Sequence, residues 1–218
     1  MRQIAWDTET TGLEPGRESI IEIACVEIVD RKIGRHYHTR IKPRCRVSEG
    51  ARTIHGISDE DLKDCPTFRE IFKDFAAFMA GADSCIAHNA PFDVGFLDQE
   101  VARISEGENF KLPKVIDTLA MARRKWPGKR NTLDIVCQRL QVPDRRNGVH
   151  GALVDTQMLA EMYLALTAGQ EQIVLDKVQE RPRGILAYRP TGLTLAKVSP
   201  EEQKAHADYC AMLKREVW

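Results

Sequence analysis

Three short stretches of this chain carry residue types that can work together chemically. Asp7-Thr-Glu9-Thr-Thr-Gly12 offers two carboxylates, His88-Asn-Ala-Pro-Phe-Asp93 a third, and His150-Gly-Ala-Leu-Val-Asp155 a fourth with an imidazole beside it. On a strand, side chains two apart point the same way, so Asp7 and Glu9 can stand side by side as one wall of a metal site. Asp93 and Asp155 supply the remaining walls. Hard oxygen donors select Mg²⁺ or Mn²⁺ over zinc. Four carboxylates and a histidine are an inventory for holding two divalent cations beside a water, which is the chemistry of phosphodiester hydrolysis.

Taken singly, each acid reads as an ordinary solvated residue. An Asp-x-Glu triplet is expected roughly once by chance in a chain this long, whereas His-x-Ala-x-x-Asp is far rarer, about 1 in 50 such chains. The ordered set carries the weight, because four acids beside apolar strands and helices would otherwise be costly unpaired charge.

The elements that must position these residues follow from periodicity. Gln3 to Trp6 and Ile20 to Val29 are rich in Ile and Val and are separated by Gly12, Pro15 and Gly16, which predicts strand, turn and strand. A third strand is expected through His36 to Ile41. From Pro66 the period changes, with Phe68, Ile71, Phe72, Phe75 and Met79 at helical spacing and Gly81 placed to end the helix. Ser84 to His88 reads as a short buried strand, and Val94, Leu97, Val101 and Ile104 mark a helix face after it. Further helices are expected over Thr132 to Leu140 and Ala152 to Leu166. The outcome is an α/β domain with a mixed sheet.

At 218 residues and 43% hydrophobic content, the chain can bury one full core with room for an appendage. Thirty-two basic residues balance thirty-two acidic ones, so any nucleic-acid contact must be local rather than whole-surface. The densest basic cluster, Arg123, Arg124, Lys125, Lys129 and Arg130, reads first as a solvated face and second as a track for a phosphate backbone. Six cysteines without a Cys-x-x-Cys pair, and no apolar leader ahead of the first motif, fit a reduced cytoplasm. No apolar run is long enough to cross a bilayer. The compact domain is expected to cover 1–169, followed by a Pro- and Gly-interrupted linker over 170–198. Ser199-Pro-Glu-Glu202 then combines helix-start signals, and a short helix is expected to about Lys214 within a segment 199–218.

The ordered motifs resemble those of the DEDDh 3′-to-5′ exonucleases, over about residues 1–169. That resemblance implies a ribonuclease-H-like fold, with a mixed β-sheet flanked by helices, and two divalent cations, Mg²⁺ or Mn²⁺. It implies that Asp7, Glu9 and Asp155 hold one ion, that Asp7 bridges to a second near Asp93, and that His150 is the general base. Asp7, Glu9, Thr10, His55 and Asp155 are the implied substrate contacts. Ile54-His55-Gly56-Ile57 is similar to the family's nucleotide-pocket segment, though His55 reads equally well as a turn histidine. Ser48-Glu-Gly-Ala51 departs from the family's Pro-Glu-Ala, and Glu49 is therefore left without a role.

Within the family, His88-Asn-Ala-Pro-Phe-Asp93-Val-Gly-Phe, Trp126-Pro-Gly-Lys-Arg-Asn-Thr-Leu133 and the run from His150 to Tyr163 resemble the proofreading subunits of bacterial DNA polymerase III. The implied partners are a DNA primer 3′ end and the polymerase catalytic (alpha) subunit, the latter held by the C-terminal segment. A sliding clamp, met by Gln170, Ile173 and Leu175, and a small accessory subunit are further candidates. Two other readings stand beside this one: a stand-alone exonuclease acting on RNA or repair DNA, and a non-catalytic polymerase–clamp adaptor.

Overall fold

A computed structural model describes residues 1–104, 109–146, 148–168 and 199–213. Three strands open the chain: β1 (Arg2–Thr10), β2 (Ile20–Val29) and β3 (Lys32–Arg40). Short helices α1 (Glu49–His55) and α2 (Asp59–Leu62) precede α3 (Phe68–Met79), β4 (Ser84–Ala87), α4 (Ala90–Ala102), β5 (Lys114–Asp117), α5 (Thr118–Lys125), α6 (Leu133–Arg139) and α7 (Ala152–Thr167). The five strands form one mixed sheet in the order β3-β2-β1-β4-β5. β1 runs antiparallel to β2 and parallel to β4.

β1 is central, and its alternation feeds two cores. Ile4 and Trp6 point into a layer with Phe72 and Phe75 of α3 and Phe96 of α4. Ala5, between them, faces Val136 of α6 and Met158, Leu159 and Met162 of α7. A strand covered on both faces needs apolar residues at both parities, which explains the run from Gln3 to Trp6.

β2 and β3 are joined by Asp30 and Arg31, both at positive φ (47° and 64°), with Val29 paired to Lys32. This is the two-residue geometry that matches the strands' twist. Arg31 reaches from that turn to α7, donating to the Leu164 carbonyl at 2.8 Å and to Thr167 Oγ1 at 3.1 Å. A cation on the carbonyl end of a helix also meets its dipole favourably. At the other end of α7, the Ala152 N–H donates to Glu22 Oε2 of β2 at 2.9 Å. One hairpin therefore fixes both ends of α7.

β4 pairs with β1 only over Gln3–Ala5. Beyond Ala5, β1 runs on beside β2 alone, and its carboxyl end projects past β4. Open α/β sheets place ligands outside the carboxyl ends of their parallel strands.

The structure confirms strands and helices where the residue pattern predicts them, with β3 beginning earlier than expected. It adds α1, α2, β5 and α5, which the pattern did not announce. β5 is four residues long and only partly buried, and α1 depends on Ser48, whose hydroxyl accepts the Ala51 N–H, and on Gly56 in the left-handed region at φ 74°. Such short elements carry too little periodicity to read. The chain divides into two compact units, Met1–Asp176 and Lys177–Trp218. In the second unit, the described residues form helix α8 (Pro200–Leu213), and Ser199 Oγ accepts the Glu202 N–H at its start. No helix among the described residues is long and apolar enough to cross a membrane.

Phe75 is fully buried between the sheet and α3. Phe75→Ala should cost about 3–5 kcal/mol of unfolding free energy, read from the denaturant midpoint; a loss below about 1 kcal/mol would contradict this packing.

Candidate active site

Asp7 and Glu9 sit on the stretch of β1 that extends beyond β4, on the face covered by α7. α7 brings Asp155, in its first turn, against them: ligand oxygens of Asp7, Glu9 and Asp155 all lie within 4.8 Å of one another. Asp93 enters from the other layer, in the first turn of α4, and is buried. Thr8, whose side chain alternates to that layer, donates its hydroxyl to Asp93 Oδ1 at 2.7 Å. One strand thus presents two carboxylates on one face and positions a third from the other.

Burial and mutual repulsion act on this group in the same direction. Asp7 is held well above the usual carboxylate range, first by desolvation and then by Asp93, Glu9 and Asp155. Glu9 is pushed up to about 8, by desolvation and then by Asp155 and Glu22. Asp93 rises to about 7 through desolvation, even though the hydrogen bond from Thr8 favours its charged form. Acids so perturbed in a cleft lack positive charge. All-oxygen donors, preorganised and short of cations, fit a hard divalent ion.

A protein cation, Arg146, stands beside them. Its guanidinium, almost fully buried, hydrogen-bonds to both Asp155 and Asp134. Burial opposes its charge, but those two carboxylates outweigh that and keep it fully protonated. No local signal marks this residue, because Asp144-Arg-Arg146-Asn-Gly148 has the composition of a solvated turn. Glu22 and Thr8 were also missed. Glu22 reads as one acid within an apolar strand, yet it accepts from Ala152 N–H, lies 3.0 Å from His38 Nε2, and so anchors the helix that bears Asp155. Burial alone would raise its pKa; the His38 and Ala152 hydrogen bonds reverse the sign and hold it low.

His150 stands just before α7, half-exposed, with Nδ1 3.0 Å from Asp155 Oδ2. Its backbone N–H donates to the Ile54 carbonyl of α1 at 3.1 Å, tying the loop to the segment that bears His55. Beside these residues opens a cavity of 460 Å³, lined among others by Glu9, Thr10, Gly12, Ile54, His55 and Phe92. His55 is buried, its Nδ1 accepts the Ile57 N–H at 3.0 Å, and burial lowers its pKa. Thr10 uses its hydroxyl on the Gly12 carbonyl at 2.6 Å, which shapes the cavity wall. A Cβ on Gly12 would lie 2.6 Å from the Glu18 carboxylate, so a larger residue there would displace the Glu18 side chain. Asp7, Glu9, Asp93, His150 and Asp155 are thus brought together, with Thr10 and His55 in the adjoining cavity. Gln170, Ile173 and Leu175 lie outside the described residues.

A family profile described as Exonuclease matches residues 4–163. The chain belongs to the exonuclease family. Among curated relatives of this exonuclease is the DNA polymerase III subunit epsilon of Pasteurella multocida (strain Pm70), 39% identical over 229 residues, covering 98% of this chain and 90% of that protein. The protein of the same name from Escherichia coli (strain K12) is 44% identical over 177 residues, or 78% of this chain and 72% of that one. Among solved structures, Exonuclease X in complex with 5′ overhanging duplex DNA aligns with a TM-score of 0.63 and 26% identity, covering 78% of this chain and 93% of that one. Escherichia coli Exonuclease I in complex with a dT13 oligonucleotide aligns with a TM-score of 0.65 at 14% identity, over 80% of this chain and 43% of that one, a likeness of fold alone. The exonuclease fold is ribonuclease-H-like.

The raised carboxylates give a signed pH dependence. An acid whose folded pKa is raised holds its proton longer in the folded state, so its contribution is complete below the unfolded pKa and is lost as pH rises through the folded value. In chelator, the melting temperature should fall as pH climbs from the ordinary carboxylate range through about 8, the value for Glu9. Saturating Mg²⁺ should flatten that decline by binding the native state. A melting temperature in chelator that stays level across this range would contradict the crowding of charge described here.

Proposed function

We propose that this chain is the 3′-to-5′ proofreading exonuclease subunit of a bacterial DNA polymerase III, removing mispaired 3′-terminal nucleotides by metal-dependent hydrolysis. The observation that carries the reading is the convergence of Asp7, Glu9 and Asp155 within 4.8 Å, with Asp93 and His150 beside them, in a chain whose relatives bear the epsilon-subunit name along nearly its whole length. Asp7, Glu9 and Asp155 would hold one divalent cation and Asp7 with Asp93 would border a second, Mg²⁺ or Mn²⁺ by donor chemistry. When bound, such ions acidify a water and offset the charge that develops on the phosphate and its leaving oxygen.

The side chains do the rest. Asp155 accepts from His150 Nδ1, which selects the tautomer with the proton on Nδ1 and leaves the Nε2 lone pair free to take one from the attacking water. Thr8 fixes Asp93 so that it need not reorient during the reaction. The cavity bearing Thr10 and His55 suits the terminal nucleotide, with Gly12 keeping its wall low. Products are a nucleoside 5′-monophosphate and a strand shorter by one.

Residues 1–169 are the proposed catalytic domain, 170–198 a linker and 199–218 the tether to the polymerase catalytic (alpha) subunit. Helix α8 supports that last assignment, since tethering raises the local concentration of exonuclease at the primer end. Gln170, Ile173 and Leu175 are proposed to meet the sliding clamp, a small accessory subunit is a further proposed partner, and the cytoplasm is the proposed location.

Asp7→Ala should lower Mg²⁺-dependent digestion of a mispaired 3′ end by on the order of 1000-fold while its circular dichroism stays native. Undiminished digestion would refute the site. Deleting residues 176–218 should abolish co-elution with the polymerase catalytic subunit and leave digestion of a free oligonucleotide intact; continued co-elution would place the polymerase contact elsewhere.

A further inference from the structure

The basic cluster has no place in the chemistry above, yet the structure builds a site from it. Arg123 lies on the last turn of α5, and Lys129 and Arg130 follow in the loop to α6. With His88, Asn89 and Leu133 they help to line a cavity of 450 Å³ beyond the carboxyl ends of β4 and β5, so it opens on the same edge of the sheet as the carboxylate site. Among the described residues, Arg123, Lys129 and Arg130 form no ion pair and donate no side-chain hydrogen bond.

The loop that carries two of these cations is held by buried polar groups. Asn131, itself buried, donates from Nδ2 to the carbonyls of Trp126 (3.2 Å) and Lys129 (3.0 Å), while its Oδ1 accepts from Arg139 Nη1 at 2.6 Å. Arg139 Nη2 donates to the Arg130 carbonyl at 2.7 Å, and its guanidinium stacks over the Trp126 ring. His88 Nε2 stands 2.8 Å from the Asn131 carbonyl, and His88 Nδ1 stands 2.9 Å from Thr118 Oγ1. Gly128 makes the turn at φ 72°. The loop is therefore preorganised, and among the described residues none of its exposed cations stands within ion-pair distance of an acid, although Asp117 and Asp134 lie near His88. Cations that line one cavity without ion-pair partners attract an anion to it.

We propose that this cavity is a phosphate-binding subsite that grips the nucleic-acid strand away from the bond being cut, without reading bases. The proposal rests on the exonuclease reading above. β5 lies two strands from β1, or ~10 Å at the usual strand spacing. The subsite thus meets phosphates further along the strand than the terminal one. Cations on backbone phosphates position a strand and carry no sequence information.

The test compares the full-length protein with its Arg123→Gln/Lys129→Gln/Arg130→Gln variant, both verified as folded by thermal melting. Two substrates separate the sites: a single-stranded oligodeoxynucleotide, and the p-nitrophenyl ester of thymidine 5′-monophosphate, which has no further phosphates. Ester hydrolysis should be unchanged. The oligonucleotide KM should rise about tenfold at low salt with kcat little altered, and the log–log salt dependence of KM should lose a slope of about 2, as expected for three phosphate contacts on a single strand. An unaltered oligonucleotide KM and salt slope would overturn the proposal, as would an equal loss on both substrates. Loss of inhibition by inorganic phosphate with oligonucleotide affinity intact would overturn it in favour of a free-anion site. If the unmodified protein cuts neither substrate, the exonuclease reading fails. Fluorescence anisotropy of the oligonucleotide in chelator then decides the subsite separately, by weaker variant binding or by none.

Discussion

Like-charge repulsion at the projecting end of β1 is the constraint around which this molecule is arranged. Asp7, Glu9, Asp93 and Asp155 shed water and face one another, and each effect alone works against folding. The sheet tolerates this because the acids belong to elements anchored elsewhere. β1 is held by antiparallel pairing with β2 along its whole length and by apolar layers on both faces. α7 is tied to the β2–β3 hairpin at both ends, through Glu22 and Arg31. The folded state carries a charge arrangement that protonation or a bound cation relieves, strain of the kind that concentrates at functional sites.

Arg146 shows the same logic in reverse. A single guanidinium partly neutralises Asp155 and Asp134, and it comes from the loop that leads into His150. It is monovalent and offers planar N–H donors, so it pairs with carboxylates but cannot gather three of them around a point as a divalent ion does.

The sequence told most about elements with long periodic patterns and least about short ones. The Phe68–Met79 stripe, the β1 and β2 runs and the Ala152–Leu166 pattern each bury a repeated face, and each became the element expected. β5 and α1 have too few turns or residues for a period to register, so the residue pattern does not mark them. In the site, Asp7, Glu9, Asp93, His150 and Asp155 were legible because rare spacings mark them. Glu22, Thr8 and Arg146 were not, since each acts through a partner far along the chain: Thr8 and Asp93 are 85 residues apart. Nothing local distinguishes an acid that anchors a distant helix from one that is merely solvated.

The hydrogen bond between Ala152 and Glu22 spans 130 residues of chain. Contacts of such long range form only after the intervening chain has folded back, at the cost of closing a long loop. A nascent polypeptide therefore carries its first acids, on β1, well before the last one can join them. Asp155 can complete the three-carboxylate cluster only once α7 has been made and has packed on the sheet, so that cluster is absent from any shorter stretch of the chain.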